Sequence, residues 1–329
     1  MEISQHARLS IAPMMDWTDR HCRAFHRVLS VRTLLYTEMV TAAALVRGGA
    51  RHLLEFDAAE HPVAVQLGGS DPAELGEATR MAVARGYAEV NLNVGCPSDR
   101  VQSGCFGAVL MTRPALVAKC LTAMIAAAGA VPVTVKCRIG IDDQKPEKVL
   151  PDFLSHVRDA GVRRVAVHAR MAWLQGLSPK ENREVPPLDH GLVHAMKRRF
   201  PDLHLSVNGG IASLEDVERH LRHMDGVMVG RAAYHDPAAI LLHADSRIFS
   251  AQDPCRDRTE AALRMIPHIE DHIAAGGKLG QVTRHMLGLF SGMPGARQWR
   301  RTLSEGAARP GAGTEILHAA LAHVTRRAA

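Results

Sequence analysis

Eight short apolar runs, each followed by a stretch of helical character, restrict this chain to very few architectures. The runs are RLSIAPM (from Arg8), LLYTEMV (from Leu34), PVAVQLG (from Pro62) and AEVNLNVG (from Ala88). VPVTVKCRIG (from Val131), RRVAVHAR (from Arg163), LHLSVNGG (from Leu203) and DGVMVGRA (from Asp225) complete them. Each is rich in Val, Ile or Leu, as parallel strands covered on both faces require. Between them lie segments such as DPAELGEATRMAVARG and RPALVAKCLTAMIAAAG. The first opens with an Asp-Pro start signal, and both close on Gly. Eight such units predict a closed (β/α)₈ TIM barrel. A doubly wound sheet is the rival, but no GxGxxG follows the first strand.

A barrel of this type uses roughly 250 residues, and the chain has 329. Strand signals stop after residue 245, and segments 258–275, 279–289 and 313–327 read as helices between Gly-rich turns. The expected division is a catalytic barrel over 1–245 and a helical domain over 246–329. The N-terminal MEISQHARLS holds no apolar run, and no stretch approaches the roughly 20 apolar residues of a membrane span. A cytoplasmic protein without a membrane partner is expected. Six cysteines without a CxxC pair are expected to stay reduced. No spaced metal-ligand set is present, so no metal is expected. His268 and His272, four apart, read as exposed surface histidines.

The net charge is +6, and it is unevenly placed. Residues 246–329 carry 12 Arg and Lys against 7 Asp and Glu, a net of +5, which leaves +1 for the first 245 residues. A basic region of this kind points to a polyanion, either nucleic acid or a membrane surface.

In such barrels the active site lies at the C-terminal strand ends. Those ends carry Met14 and Met15, Glu38, Gln66, Asn93 with Cys96, Lys136, His168, Asn208, and Gly230 with Arg231. Polar groups thus terminate seven apolar strands that do not need them. Asn208, Gly209 and Gly210 after strand seven, and Gly230 and Arg231 after strand eight, suit a phosphate, because glycine admits close backbone approach and arginine adds charge. Lys136 and His168 would place a cation at the pyrimidine edge of a flavin, Gln66 an amide, and the APMM segment (Pro13, Met14, Met15) backbone contacts and an apolar platform. The alternative for Lys136 is a buried salt bridge, for example with Glu38. Cys96 sits in a Gly-Cys-Pro loop at the mouth; an ordinary thiol pKa of about 8.5 leaves it protonated at neutral pH, able to act as an acid. Cys22, Cys120, Cys137 and Cys255 read as structural.

Taken in order, APMMDWTDRHCR, TEMV, VQLGG, NLNVGCPSDRVQSG, VKCRIG, VHAR, KENREVPPL, NGG and VGRAAY resemble the blocks of the tRNA-dihydrouridine synthases. DWTDRHCR, KENREVPPL and GARQWRR point to the A-type subfamily. The resemblance implies FMN as cofactor, NADPH as reductant, and uridines around positions 20 and 20a of the tRNA D-loop as substrate. It implies that Gln66, Lys136, His168, Asn208 to Gly210, Gly230 and Arg231 hold FMN, and that Cys96 donates a proton. Asn93, Lys180, Arg183, Arg297 and Arg300 would be tRNA contacts, and the protein would act as a monomer. One departure is visible: the family segment GRFGACLM is here GCFGAVLM, so Cys105 stands where an arginine is expected.

The implied chemistry is hydride delivery from reduced FMN to uracil carbon 6 and protonation of carbon 5 by Cys96. A barrel reductase of a small molecule, such as a dihydroorotate or dihydropyrimidine oxidoreductase, is the nearest alternative; it has no need of a basic tail. A non-catalytic RNA-binding barrel is the alternative from another class. The clustered Arg297, Arg300 and Arg301, with little acidic charge expected nearby, favour an RNA partner.

Overall fold

The computed structural model describes residues 3–98 and 104–325. Eight parallel strands close in sequence order: β1 Leu9–Ile11, β2 Leu34–Thr41, β3 Val63–Gly68, β4 Glu89–Val94, β5 Val133–Arg138, β6 Arg164–His168, β7 His204–Asn208 and β8 Gly226–Val229. β1 pairs with β8, which completes the barrel. Every strand falls within one of the eight apolar runs, except that β2 continues one residue further, to Thr41. Helices Pro72–Arg85 and Pro114–Ala128 occupy the two quoted helical segments. Asp71 caps the first through the Glu74 N–H, and Gly86 ends it in the left-handed region at φ 97°.

The two faces of the strands differ in chemistry. In β4, Val90, Leu92 and Val94 belong to the main apolar core, whereas Glu89, Asn91 and Asn93 alternate with them. Tyr36, Asn91, Thr134, Arg164 and Ser206 line one cavity inside the barrel. Such interiors are usually filled by branched aliphatic side chains; this one is substantially polar. The register sets Asn93 beside Lys136, Arg138 beside His168, and His168 beside Asn208. One end of the barrel therefore collects most of the candidate site residues.

The division drawn at 245/246 falls inside helix Ala244–Phe249. Asp245 is buried and accepts from Ser30 Oγ at 2.5 Å and from the Val31 N–H at 2.9 Å, which anchors this helix to the barrel. Segment 258–275 is two helices, Arg258–Arg264 and Ile266–Ala274, with Pro267 in the first turn of the second. Segment 279–289 is helical only over Leu279–Thr283. At Gly288 a Cβ would overlap the His235 carbonyl, so the chain packs its backbone directly on the segment after β8 there. Helices Ala296–Gly306 and Glu315–Thr325 pack on each other and end the described chain. No helix among the described residues is long and apolar enough to cross a membrane.

His268 and His272 are not surface histidines. Both are half-buried against His21 of helix Arg20–Leu29, with His21 Nδ1 and His268 Nε2 3.0 Å apart. The i, i+4 spacing gave the shared face, but only the tertiary fold supplies its cover. A second tie runs through Asp19, which caps helix Arg20–Leu29 and meets Arg284 at 2.5 Å and His285 at 3.0 Å. Burial raises the Asp19 pKa, but the His285 contact, helped by the Cys22 N–H and Arg284, holds it well below the carboxylate range. A depressed carboxylate stabilises the fold above its unfolded pKa and loses that effect as pH falls through the folded one. Asp19→Asn is thus expected to melt below the native protein at neutral pH, with the two curves converging as pH falls below about 4. Thermal melts across pH check this; a gap that stays constant into acid would contradict it.

Candidate active site

The loop leaving β4 is held on both sides. Asn93 Oδ1 accepts the Gly95 and Cys96 N–H groups, each at 3.0 Å, and its Nδ2 donates to Gln66 Oε1 at 2.7 Å. Arg138 ends β5, and its Nε donates to the Gly95 carbonyl at 2.9 Å. Its Nη1 donates to the carbonyls of Met171 and Asn182, each at 2.9 Å. One buried guanidinium therefore joins the Cys96 loop to the segment after β6. Arg138 was missing from the sequence reading, although VKCRIG displays it two residues after Lys136. Cys96 is half-buried, with Sγ 3.5 Å from Ser98 Oγ. Residues 99–103 of the NVGCPSDRVQSG block lie outside the described residues. Cys105, where an arginine was expected, is exposed at φ 55°.

Cations surround this thiol. Lys136, Arg138 and Arg183 each lie within electrostatic reach of Cys96. Burial, with Arg138 adding repulsion, pushes the Lys136 ammonium down to about 8. Among the described residues Lys136 forms no ion pair, and Glu38 instead accepts the Asp16 N–H at 2.6 Å. A salt bridge between Lys136 and Glu38 is thereby set aside. His168 is buried beside Arg138 and Lys136, and both burial and these cations push its pKa well below the usual value. It is neutral at physiological pH, so the cationic role expected of the pair falls to Lys136 alone.

The ends of β7 and β8 form a second corner of the mouth. Asn208 Nδ2 donates to the Met228 carbonyl at 2.7 Å, which ties these strands together. Gly209 and Gly210 have φ of 107° and 73°, and a Cβ on them would strike His168 and Leu188 at 2.5 and 2.4 Å. These glycines are required by conformation and by packing at once. At Gly230 a Cβ would sit in ordinary contact with Ala12 and Met14, both at 3.8 Å, so packing alone does not require this glycine. Arg231 reaches back to Glu184 at 2.6 Å and to the Arg183 carbonyl at 3.2 Å. Pro13 and Met14 are half-buried, and Met15 is exposed. Thr18 Oγ1 takes up both the N–H and the carbonyl of Met14, so that backbone is committed within its own turn.

Two groups of expected RNA contacts lie on different elements. Lys180 and Arg183 are exposed on and beside the short turn Glu181–Arg183. Asn182 between them is buried, and its side chain bonds Trp173 N–H at 2.7 Å and Trp173 carbonyl at 2.8 Å, which sets an exposed Trp173 beside this rim. Asn93 is spent largely inside the site, as described above. Arg297 and Arg300 are exposed on helix Ala296–Gly306, whose Trp299 and Leu303 are buried. The expectation of little acidic charge nearby fails for Arg301, which pairs with Glu305 one turn on at 3.1 Å. Elsewhere in the tail Arg247, Arg256, Arg264 and Arg284 are also paired.

The barrel is similar in fold to morphinone reductase, with a TM-score of 0.51 and 13% identity over 78% of this chain and 91% of that one. An old yellow enzyme homologue from Zymomonas mobilis gives a TM-score of 0.53 and 12% identity over 77% and 91%. In sequence the likeness is far stronger. The tRNA-dihydrouridine(20/20a) synthase of Vibrio cholerae is 54% identical over 98% of both chains. Those of Salmonella typhi and Escherichia coli K12 are 57% and 55% identical, over 95% and 97% of this chain and 94% and 92% of theirs. The pattern of the dihydrouridine synthase family matches residues 10–325. A polar mouth built around one loop cysteine, and these relatives along nearly the whole chain, place the protein in the dihydrouridine synthase family.

Proposed function

We propose that this protein reduces uridine to 5,6-dihydrouridine in the D-loop of tRNA, around positions 20 and 20a, with bound FMN as cofactor and NADPH as reductant. The observation that carries the reading is Cys96 at the barrel mouth among Lys136, Arg138 and Arg183. The donor set fits a flavin: an ammonium with no carboxylate partner among the described residues, a neutral imidazole, and glycine backbone at 209, 210 and 230. Lys136, His168, Gln66, Asn208 to Gly210, Gly230 and Arg231 would hold it, with Pro13, Met14 and Met15 as an apolar flank. When bound there, FMN would supply hydride chemistry toward the electrophilic carbon 6 of uracil.

The chain's own residues do the rest. Carbon 6 is electrophilic because the 5,6 double bond is conjugated to the 4-oxo group, and carbon 5 becomes enolate-like on attack. The Cys96 thiol gives its proton to carbon 5. Asn93 and Arg138 fix the Cys96 loop in place while this happens. The target base must leave its stack, at a cost of a few kcal/mol. Lys180 and Arg183 at the rim, with Arg297 and Arg300 on the tail, would grip the backbone. A monomer suffices, since all of these groups belong to one chain.

The test follows oxidation of NADPH-reduced protein under anaerobic conditions. An unmodified tRNA transcript should reoxidise the flavin, and free uracil or orotate should not. The reverse preference would favour a small-molecule reductase. For the tail, the Arg297→Ala, Arg300→Ala double mutant should bind tRNA more weakly, with its log–log salt slope lower by roughly 0.7–0.9 per lost phosphate contact. Flavin content and free NADPH oxidation should not change. A salt titration decides; an unchanged affinity and slope would remove this helix from the RNA surface.

A further inference from the structure

Polar side chains inside the barrel are joined from its floor to Cys96. Glu89 opens β4 at the floor and is ion-paired with Arg164 of β6. The Tyr36 hydroxyl donates to Glu89 Oε1 at 2.5 Å, and the Thr134 hydroxyl donates to the same oxygen. Above it, Asn91 Nδ2 donates to Thr134 Oγ1 at 2.8 Å, and Gln66 Nε2 donates to Asn91 Oδ1 at 2.8 Å. Asn93 Nδ2 then donates to Gln66 Oε1 at 2.7 Å, and Asn93 Oδ1 receives the Gly95 and Cys96 N–H groups at 3.0 Å. Glu89, Asn91, Gln66 and Thr134 are all buried, so bulk water does not substitute for these partners.

Every donor in this chain points toward the floor, and the reason is at the floor. A carboxylate paired with arginine only accepts. Thr134 must then spend its one proton on Glu89, so its oxygen can only accept from Asn91. That turns the Asn91 NH₂ down and its oxygen up. The same argument orients Gln66, and then Asn93. Asn93 therefore meets the loop with oxygen, the only end that can receive two backbone N–H groups. Aligned hydrogen bonds in a low-dielectric interior also polarise one another in a common sense.

We propose that Glu89, acting through Thr134, is a positioning residue for the reaction: it fixes the amide orientation of Asn91, Gln66 and Asn93 and thereby the placement of Cys96. The proposal rests on the assignment of Cys96 above. Thr134→Val keeps the side-chain shape and the Glu89–Arg164 pair but removes the link; Thr134→Ser keeps the link. Two readouts are taken on the flavin-loaded protein. One is kcat and KM for tRNA. The other is the pH profile of iodoacetamide alkylation, followed on the Cys96 peptide by mass spectrometry.

Thr134→Val should lower kcat by roughly tenfold or more with KM unchanged, and should shift the alkylation profile. Thr134→Ser should match the native protein in both. Native kcat and a native profile in Thr134→Val would overturn the proposal, as would equal losses in the Val and Ser variants. A shifted profile with native kcat would support the relay and instead remove Cys96 from the chemistry, which separates the two failures. If Thr134→Val does not fold, Asn91→Leu, of similar volume, breaks the chain one link higher and is read in the same way.

Discussion

Cys96→Ala is expected to abolish tRNA reduction while leaving the protein folded and loaded with flavin. General acid catalysis contributes about 10²–10⁴-fold, so a loss of that order is expected in single-turnover reoxidation by tRNA. The loop should survive the change, since Asn93 and Arg138 hold backbone groups of residues 95 and 96 and not the thiol. NADPH oxidation needs only the flavin and should continue at the native rate. If Cys96→Ala retained its flavin but lost that half-reaction, Cys96 would be supporting the cofactor and not the substrate. If it reduced tRNA at the native rate, another group would have to be the acid.

The second large effect is expected at Lys136. Burial holds its folded pKa at about 8, below the ordinary lysine value of about 10.4, so holding the proton costs the folded protein stability at neutral pH. That cost is present below about 8 and is relieved as pH rises toward the unfolded value. Lys136→Met should therefore not lower, and at neutral pH should raise, the melting temperature of the cofactor-free protein. Flavin function should move the other way. The mutant should bind FMN roughly tenfold or more weakly, in keeping with a charge-assisted contact worth about 1.5–3 kcal/mol. FMN affinity of the native apoprotein should fall as pH rises through about 8, and that of Lys136→Met should not. Equal FMN affinity in the two proteins across this range would make Lys136 a purely structural residue or an RNA contact.

The fold was legible because its signal is repetitive and local. Eight Val-, Ile- and Leu-rich runs at regular spacing leave few ways to close a sheet, and Asp71 and Gly86 punctuate the first long helix where the sequence says so. The strand ends were legible too, since a polar residue after an apolar run needs a reason. What escaped was the polar set within the strands. Glu89, Asn91, Thr134 and Arg164 each look unremarkable in an apolar run, and only closure of the barrel makes them neighbours across 75 residues of sequence. Arg138 was missed for the same reason: its partners are carbonyls of residues 95, 171 and 182, which carry no side-chain signature. His268 and His272 failed as surface residues because their cover, His21, is almost 250 positions away. Charge counting in the tail overstated the free arginines, because counting does not see which of them are already paired with Glu215, Glu218, Glu260 or Glu305.

The central claim is that this mouth reduces specific uridines in tRNA, with Cys96 as the source of the proton. The most direct measurement runs the reaction with an unmodified tRNA transcript and NADPH in deuterated water, then locates and weighs each modified nucleoside by nuclease digestion and mass spectrometry. The account predicts dihydrouridine at positions 20 and 20a with one solvent deuterium on carbon 5, and none formed by Cys96→Ala. Dihydrouridine formed equally well by Cys96→Ala, or no reduction of tRNA by the flavin-loaded native protein, would contradict it.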